Sequence, residues 1–208
     1  MFDEAFHAQL IELFRWRRDV RRFRRDPLAT GLLEELLELA SLAPSVGLSQ
    51  PWRFVTVDDP ARRAAVRESF EACNAEALAG QGSTRARLYA GLKLAGLDRA
   101  PCQVAVCTEA DPAQGHGLGR GTMPQTVAYS AVMAIHTLWL AARSVGLGLG
   151  WVSILEPSVV MAALDLSGPM QLVAYLCLGY PEAESEQPEL EAAGWEYRHP
   201  AAATLIRR

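Results

Sequence analysis

Residues 124–145, PQTVAYSAVMAIHTLWLAARSV, constrain the fold more than any other stretch of this chain. They read as one long, mostly apolar helix stopped by Gly146, since glycine accepts the left-handed backbone that ends helices. A helix this apolar is unsuited to lying on a wet surface. It must fill the centre of a monomer or sit at a subunit interface. The rest of the chain supplies elements to pack around it. Gln103–Thr108 predicts a strand buried on both faces, and Gln171–Tyr180, the most apolar run, predicts a central one. Arg53–Val57 and Gly148–Leu155 predict two more. Helices are expected over 2–18, with Phe6, Leu10, Leu13 and Phe14 on one face, and over 30–42, with Leu32, Leu33, Leu36, Leu37 and Ala40 inward. A third starts at Pro60 behind an Asp59 cap and runs to about Ala79. Residues 84–96 and Ser158–Leu164 read as two more helices. Residues 109–122 are a glycine-rich loop. Short helices interleaved with four strands predict an α+β fold, a mixed sheet flanked by helices in one domain over 1–208.

Charge and composition narrow the functional classes. The net charge is -4 and half the residues are hydrophobic, so there is material for a core and no general attraction to nucleic acid. The arginine run at 15–25 lacks the aromatic platforms of a nucleic-acid binder. Cys73, Cys102, Cys107 and Cys177 form no CxxC pair and predict reduced core residues of a cytoplasmic protein. The N-terminal stretch lacks a signal-peptide pattern, and no apolar run is long enough to span a bilayer. His7, His116, His136 and His199 are too scattered for a metal site. His136, on the apolar helix, reads as a core residue.

Three stretches could carry chemistry. Arg17-Arg18-Asp19-Val20-Arg21 falls at the end of the first helix, where Arg17 and Arg21 would be one turn apart on one side. Paired guanidinium donors suit a phosphate; equally, the run could be a solvated basic surface with Asp19 as a local ion-pair partner. Pro44, Ser45, Gly47 and Gln50 shape a helix-to-strand turn whose amides and hydroxyl can donate to a ligand oxygen; an ordinary loop with Trp52 as core anchor explains it as well. Gly146-Leu147-Gly148-Leu149-Gly150-Trp151-Val152-Ser153 follows a helix and precedes a strand, the reverse of a dinucleotide fingerprint. Its later glycines would let backbone approach a flat ligand.

These stretches together resemble the nitroreductase superfamily. Members usually read APS-x-x-N-x-QPW at the turn, where this chain has APSVGLSQPW with Leu48 in the Asn slot. RRDVR, PSVGLSQPW, LKLAG, GWVSI and AYLCLG, in this order, resemble the flavin-fragmenting 5,6-dimethylbenzimidazole synthases within that superfamily. The likeness spans roughly residues 15–200. The segment after Arg21 and Gln125 depart from it. The resemblance implies a homodimer with FMN at its interface. It implies FMNH2 as a substrate that O2 attacks, rather than a recycled prosthetic group, and a separate flavin reductase to supply it. Asp19 inherits the role of proton acceptor, its ionised form favoured by the neighbouring arginines, and Ser153 that of an active-site hydroxyl. Arg17, Arg18, Val20, Arg21, Pro44, Ser45, Gly47, Gln50, Leu92, Trp151, Val152 and Arg198 inherit flavin contacts. Leu48 predicts a drier pocket around the ribityl chain. An NAD(P)H-dependent nitroreductase or flavin reductase, or a non-catalytic flavin carrier, would share most of these residues.

Overall fold

Strand β2 (Cys102–Glu109) is buried from Cys102 through Thr108, as a near-continuous apolar run requires when both faces are covered. The computed structural model describes residues 2–79, 96–166, 168–200, 202 and 204–208. Over these, β2 pairs with β1 (Trp52–Thr56) on one side and with β4 (Met170–Gly179) on the other. Strand β3 (Gly148–Val152) lies outside β4, giving the order β1-β2-β4-β3. The expected mixed sheet is corrected here: all three pairings are antiparallel. The long helix does cross between two parallel strands, β2 and β3, but β4 inserts between them and turns both contacts antiparallel. Parallel pairing survives in one bridge, Asp19 to Leu149.

Side chains of β2 and β4 alternate between two cores, as strand geometry demands. Val104, Val106, Ala174 and Leu176 face one core, filled by helix α2 (Leu32–Ala40) and the long helix. Ala105, Tyr175 and Cys177 face the other, with Val66 of helix α3 (Pro60–Ala79). The Asp59 carboxylate accepts the Ala61 N–H at 2.7 Å, so α3 starts where its cap and proline place it. A one-turn helix, α4 (Gly96–Arg99), precedes β2. The predicted helix over 84–96 lies almost wholly outside the described residues, as does Leu92. Cys102, Cys107 and Cys177 are buried thiols. Burial pushes Cys102 and Cys107 up to about 11.

The long helix, α5 (Thr126–Ser144), does one of its two expected jobs within the chain. Val127, Ala131, Ala134, Ile135, Leu138 and Ala142 bury one stripe against the sheet. Tyr129, Val132 and Met133 leave an apolar stripe 56%, 39% and 43% exposed. His136 belongs to that outer side and is exposed, not a core residue; the surplus of apolar residues masks which side faces in. Helix α6 (Pro157–Ala163) joins β3 to β4, and a short α7 (Glu189–Ala192) interrupts the acidic C-terminal segment. Among the described residues no helix is long and apolar enough to cross a membrane.

Candidate functional site

Helix α1 (Glu4–Trp16) begins on an Asp3 cap and stops immediately before Arg17. Arg17 has extended backbone (φ -66°, ψ 118°), so the RRDVR segment is not the helix end that its spacing suggested. The Val20 N–H donates to the Leu149 carbonyl at 3.0 Å, docking the segment along β3. In extended chain alternate residues share a side. Arg17, Asp19 and Arg21 therefore stay together despite the lost helix.

Asp19 is fixed from two directions. Its Oδ1 accepts the Trp151 N–H at 2.9 Å. Its Oδ2 lies 3.7 Å from Arg21 Nε; the Arg21 side chain is 13% exposed and the Asp19 side chain, partly buried, 39%. The carboxyl is nonetheless raised above the ordinary range, because burial outweighs the Trp151 N–H, Arg21 and Arg17 that oppose it. The arginines do favour the ionised form, as expected, but by less than burial disfavours it. A raised carboxyl is a stronger base once ionised.

The glycines of β3 serve this seam. A Cβ on Gly150 would lie 2.1 Å from the Val20 carbonyl oxygen, and one on Gly148 would lie 2.5 Å from Val20 Cγ2. They make room for the chain's own arginine segment, not for a flat ligand. Val152 points into the second core at 2% exposure, so its side chain is packing. Ser153 follows the last strand residue, is exposed, and sits two residues beyond Trp151, about 7 Å along the chain.

Arg17, Arg18 and Arg198 converge from both ends of the chain. Arg17 stacks on Trp139 of α5, 5.0 Å from the ring centroid, while the Trp139 indole donates to the Arg18 carbonyl at 3.0 Å. Burial first, and then the Arg198 charge, lowers both Arg17 and Arg18. Arg18 Nε is buried with no hydrogen-bond partner among the described residues. A cleft of about 120 Å³ opens between Arg17, Arg18, Arg21 and Arg198. A second, of about 310 Å³, adjoins it under the acidic segment around Glu182 and Glu189. Mutually repelling guanidiniums beside an unpartnered donor fit an anion, and the planar donors fit a phosphate best.

The Pro44–Gln50 turn is a different construction. Gly47, Leu48 and Gln50 are all left-handed, with φ of 57°, 54° and 40°. The Val46 N–H donates to Ser130 Oγ at 3.0 Å, anchoring the turn on α5. The Gln50 N–H donates to Ser45 Oγ at 3.1 Å, so the Ser45 hydroxyl keeps its proton for an outside acceptor. Pro44 is exposed beside it. Leu48 is 70% exposed. It dries no pocket within this chain, because the left-handed turn throws its side chain outward. The turn and the arginines are not brought together by one chain: their anchors on α5, Ser130 and Trp139, are nine residues apart. That is about 14 Å of rise and half a turn of rotation, so they occupy opposite faces.

Sequence reasoning passed over Gln114, whose Nε2 donates to the Leu48 carbonyl at 2.7 Å, because its loop carries no periodic signal. Among the described residues no group of three or more acidic, cysteine or histidine side chains is placed to hold a metal ion.

Comparison with known proteins bears on this arrangement. The nitroreductase family model matches residues 14–180. A 5,6-dimethylbenzimidazole synthase of Rhodospirillum rubrum is 56% identical over 200 residues, covering 96% of this chain and 95% of that protein. One from Rhodobacter capsulatus is 48% identical, covering 96% of each. Among solved structures, iodotyrosine deiodinase bound to FMN and 3-iodo-L-tyrosine superposes with a TM-score of 0.75 at 23% identity, over 95% of this chain and 97% of that one.

Proposed function

The chain belongs to the nitroreductase family, and on that premise we propose that it carries out the reaction its Rhodospirillum and Rhodobacter relatives are named for, 5,6-dimethylbenzimidazole synthesis, from reduced FMN and O2. The observation that carries this reading is Asp19. It is a raised carboxyl pinned by the Trp151 N–H at the rim of a four-arginine cleft. Reduced FMN, when bound, supplies the electrons that O2 takes and the carbon atoms from which the benzimidazole is cut.

Arg17, Arg18 and Arg198 hold the phosphate, relieving their mutual repulsion. Asp19 Oδ1 is committed to Trp151, and Oδ2 is the side that receives a proton from the ribityl chain. Arg21, beside Oδ2, keeps the ionised form available despite burial. Ser153, with an exposed hydroxyl just past Trp151, donates to the ring edge. The Ser45 hydroxyl and the turn amides contact the flavin from a second copy of the chain. Two copies are required by this reading, because one chain holds the turn and the arginines on opposite faces of α5. The exposed Tyr129, Val132 and Met133 stripe is apolar surface suited to that contact. A separate flavin reductase delivers the reduced substrate.

The test is aerobic incubation of the protein with chemically reduced FMN, followed by mass identification of the products. Dimethylbenzimidazole is the expected product. Recovery of intact oxidised FMN alone, or steady NADPH oxidation with a nitroaromatic acceptor, would overturn the reading.

A further inference from the structure

We infer that Gln114 is a positioning residue for the flavin turn, acting through Leu48 and Gln50 on the Ser45 hydroxyl; this rests on the flavin reading above. The turn makes two backbone bonds of its own, Leu48 N–H to the Ser45 carbonyl and Ser49 N–H to the Val46 carbonyl, both at 3.0 Å, but its backbone is strained. Two non-glycine residues, Leu48 and Gln50, are held at positive φ, a conformation that L residues adopt only under outside constraint. The constraint comes from the glycine-rich loop opposite.

Backbones of the two segments touch. A Cβ on Gly47 would lie 2.8 Å from the Leu118 carbonyl oxygen, and one on Gly115 would lie 2.7 Å from the Gly47 carbonyl oxygen. Contact this close fixes a distance but not an orientation. The Val46 anchor on Ser130 orients the start of the turn, and one side chain orients its outer end. Gln114 Nε2 donates to the Leu48 carbonyl at 2.7 Å and reaches Gln50 Oε1 at 3.5 Å. Gln50 in turn donates from Nε2 to the Ser41 carbonyl at 3.2 Å, and from its backbone N–H to Ser45 Oγ at 3.1 Å. A relay therefore runs from Gln114 through Gln50 to Ser45. Its last step makes the serine oxygen an acceptor inward, leaving its proton as the outward donor.

The loop is braced well enough to serve as a fixed support. Arg120 Nη1 donates to the Pro112 carbonyl at 2.6 Å and Nη2 to Asp111 Oδ1 at 2.5 Å, closing the loop on itself. Gln114 is exposed and fills no core space, so its removal tests the relay without emptying the interior.

Two variants separate donation from packing. Gln114→Ala removes the side chain, and Gln114→Glu keeps its shape while replacing the donor with an acceptor facing a carbonyl. In both, the dissociation constant for FMN, read by quenching of flavin fluorescence, should rise about tenfold, the scale of one lost directed hydrogen bond. In both flavin-free variants, hydrogen exchange at the Gln50 amide should accelerate while thermal stability stays near wild type. Wild-type affinity and Gln50 exchange in Gln114→Glu would overturn the inference, since packing alone would then suffice. Failure of the wild-type protein itself to bind FMN would overturn the flavin reading and this inference with it.

Discussion

The seam between RRDVR and β3 and the turn between α2 and β1 both serve the candidate site, yet they are held by opposite means. The seam is backbone laid on backbone, with two glycines cleared for Val20 and the Asp19 carboxylate tied to Trp151. The turn is left-handed, exposed and steadied by side-chain amides from a loop. The seam couples chemistry to stability, so a lesion that opens its backbone contact removes both. The turn separates them, so damage there alters binding while the fold persists.

The hardest break of this contrast is Gly150→Ala. Its Cβ would meet a backbone oxygen at 2.1 Å, and the seam must open to admit it. Thermal unfolding should show a loss of about 2–3 kcal/mol, the scale of overpacking a tight site, together with loss of FMN binding. Gly121→Ala, whose Cβ meets nothing within 4 Å, is the control and should be near neutral.

Asp19 sharpens the contrast, because its two roles can be separated. Asp19→Asn keeps an acceptor for Trp151 but no base. Benzimidazole formation should fall at least about a hundredfold, as for loss of a general base, while FMN binding is retained. Asp19→Ala should also lower stability by about 1–3 kcal/mol, from an unpaired Trp151 N–H. The pH dependence has a definite sign. Burial raises the folded carboxyl above its unfolded value, so wild-type stability declines as pH rises through that window. Asp19→Asn should therefore gain on wild type between acid and neutral pH, measured by denaturant midpoints.

Ser153→Ala lies beyond the seam, on an exposed hydroxyl. Its rate should drop about tenfold for one lost directed bond, with stability unchanged within about 0.5 kcal/mol. Lost stability with an unchanged rate would make Ser153 structural. The smallest effect belongs to Leu48→Asn. Asn tolerates positive φ better than Leu, so stability should rise by a few tenths of a kcal/mol, roughly the propensity difference. Single-turnover oxidation of bound reduced FMN should yield more peroxide and less benzimidazole. An unchanged ratio would confine Leu48 to shaping the turn.

Much of the fold was legible in the chain because it follows from period and punctuation. The Asp59-Pro60 start of α3, the doubly buried β2 and the central β4 all came from such signals. Strand order did not, because no local pattern says that β4 slips between β2 and β3. The RRDVR, turn and GWVS stretches were legible as site material through resemblance, but their physical roles were only partly so. Gly148 and Gly150 looked like room for a ligand because the segment that fills that room is more than a hundred residues away. That Leu48 is exposed within one chain was not legible, because the sign of a backbone φ is invisible in letters. Gln114 was missed because its loop carries no periodic signal, and His136 was misplaced because the surplus of apolar residues on its helix hides which side faces in.

The half-turn offset between Ser130 and Trp139 on α5 has a genetic consequence. If each site draws its arginines from one copy and its turn from the other, two differently damaged genes can rescue one another. A chain carrying Asp19→Asn and a chain crippled in its turn are each inactive alone. In a mixed dimer, one site collects both lesions and the other collects neither. Co-expression should thus restore an intact centre, a behaviour impossible for a site assembled within one chain.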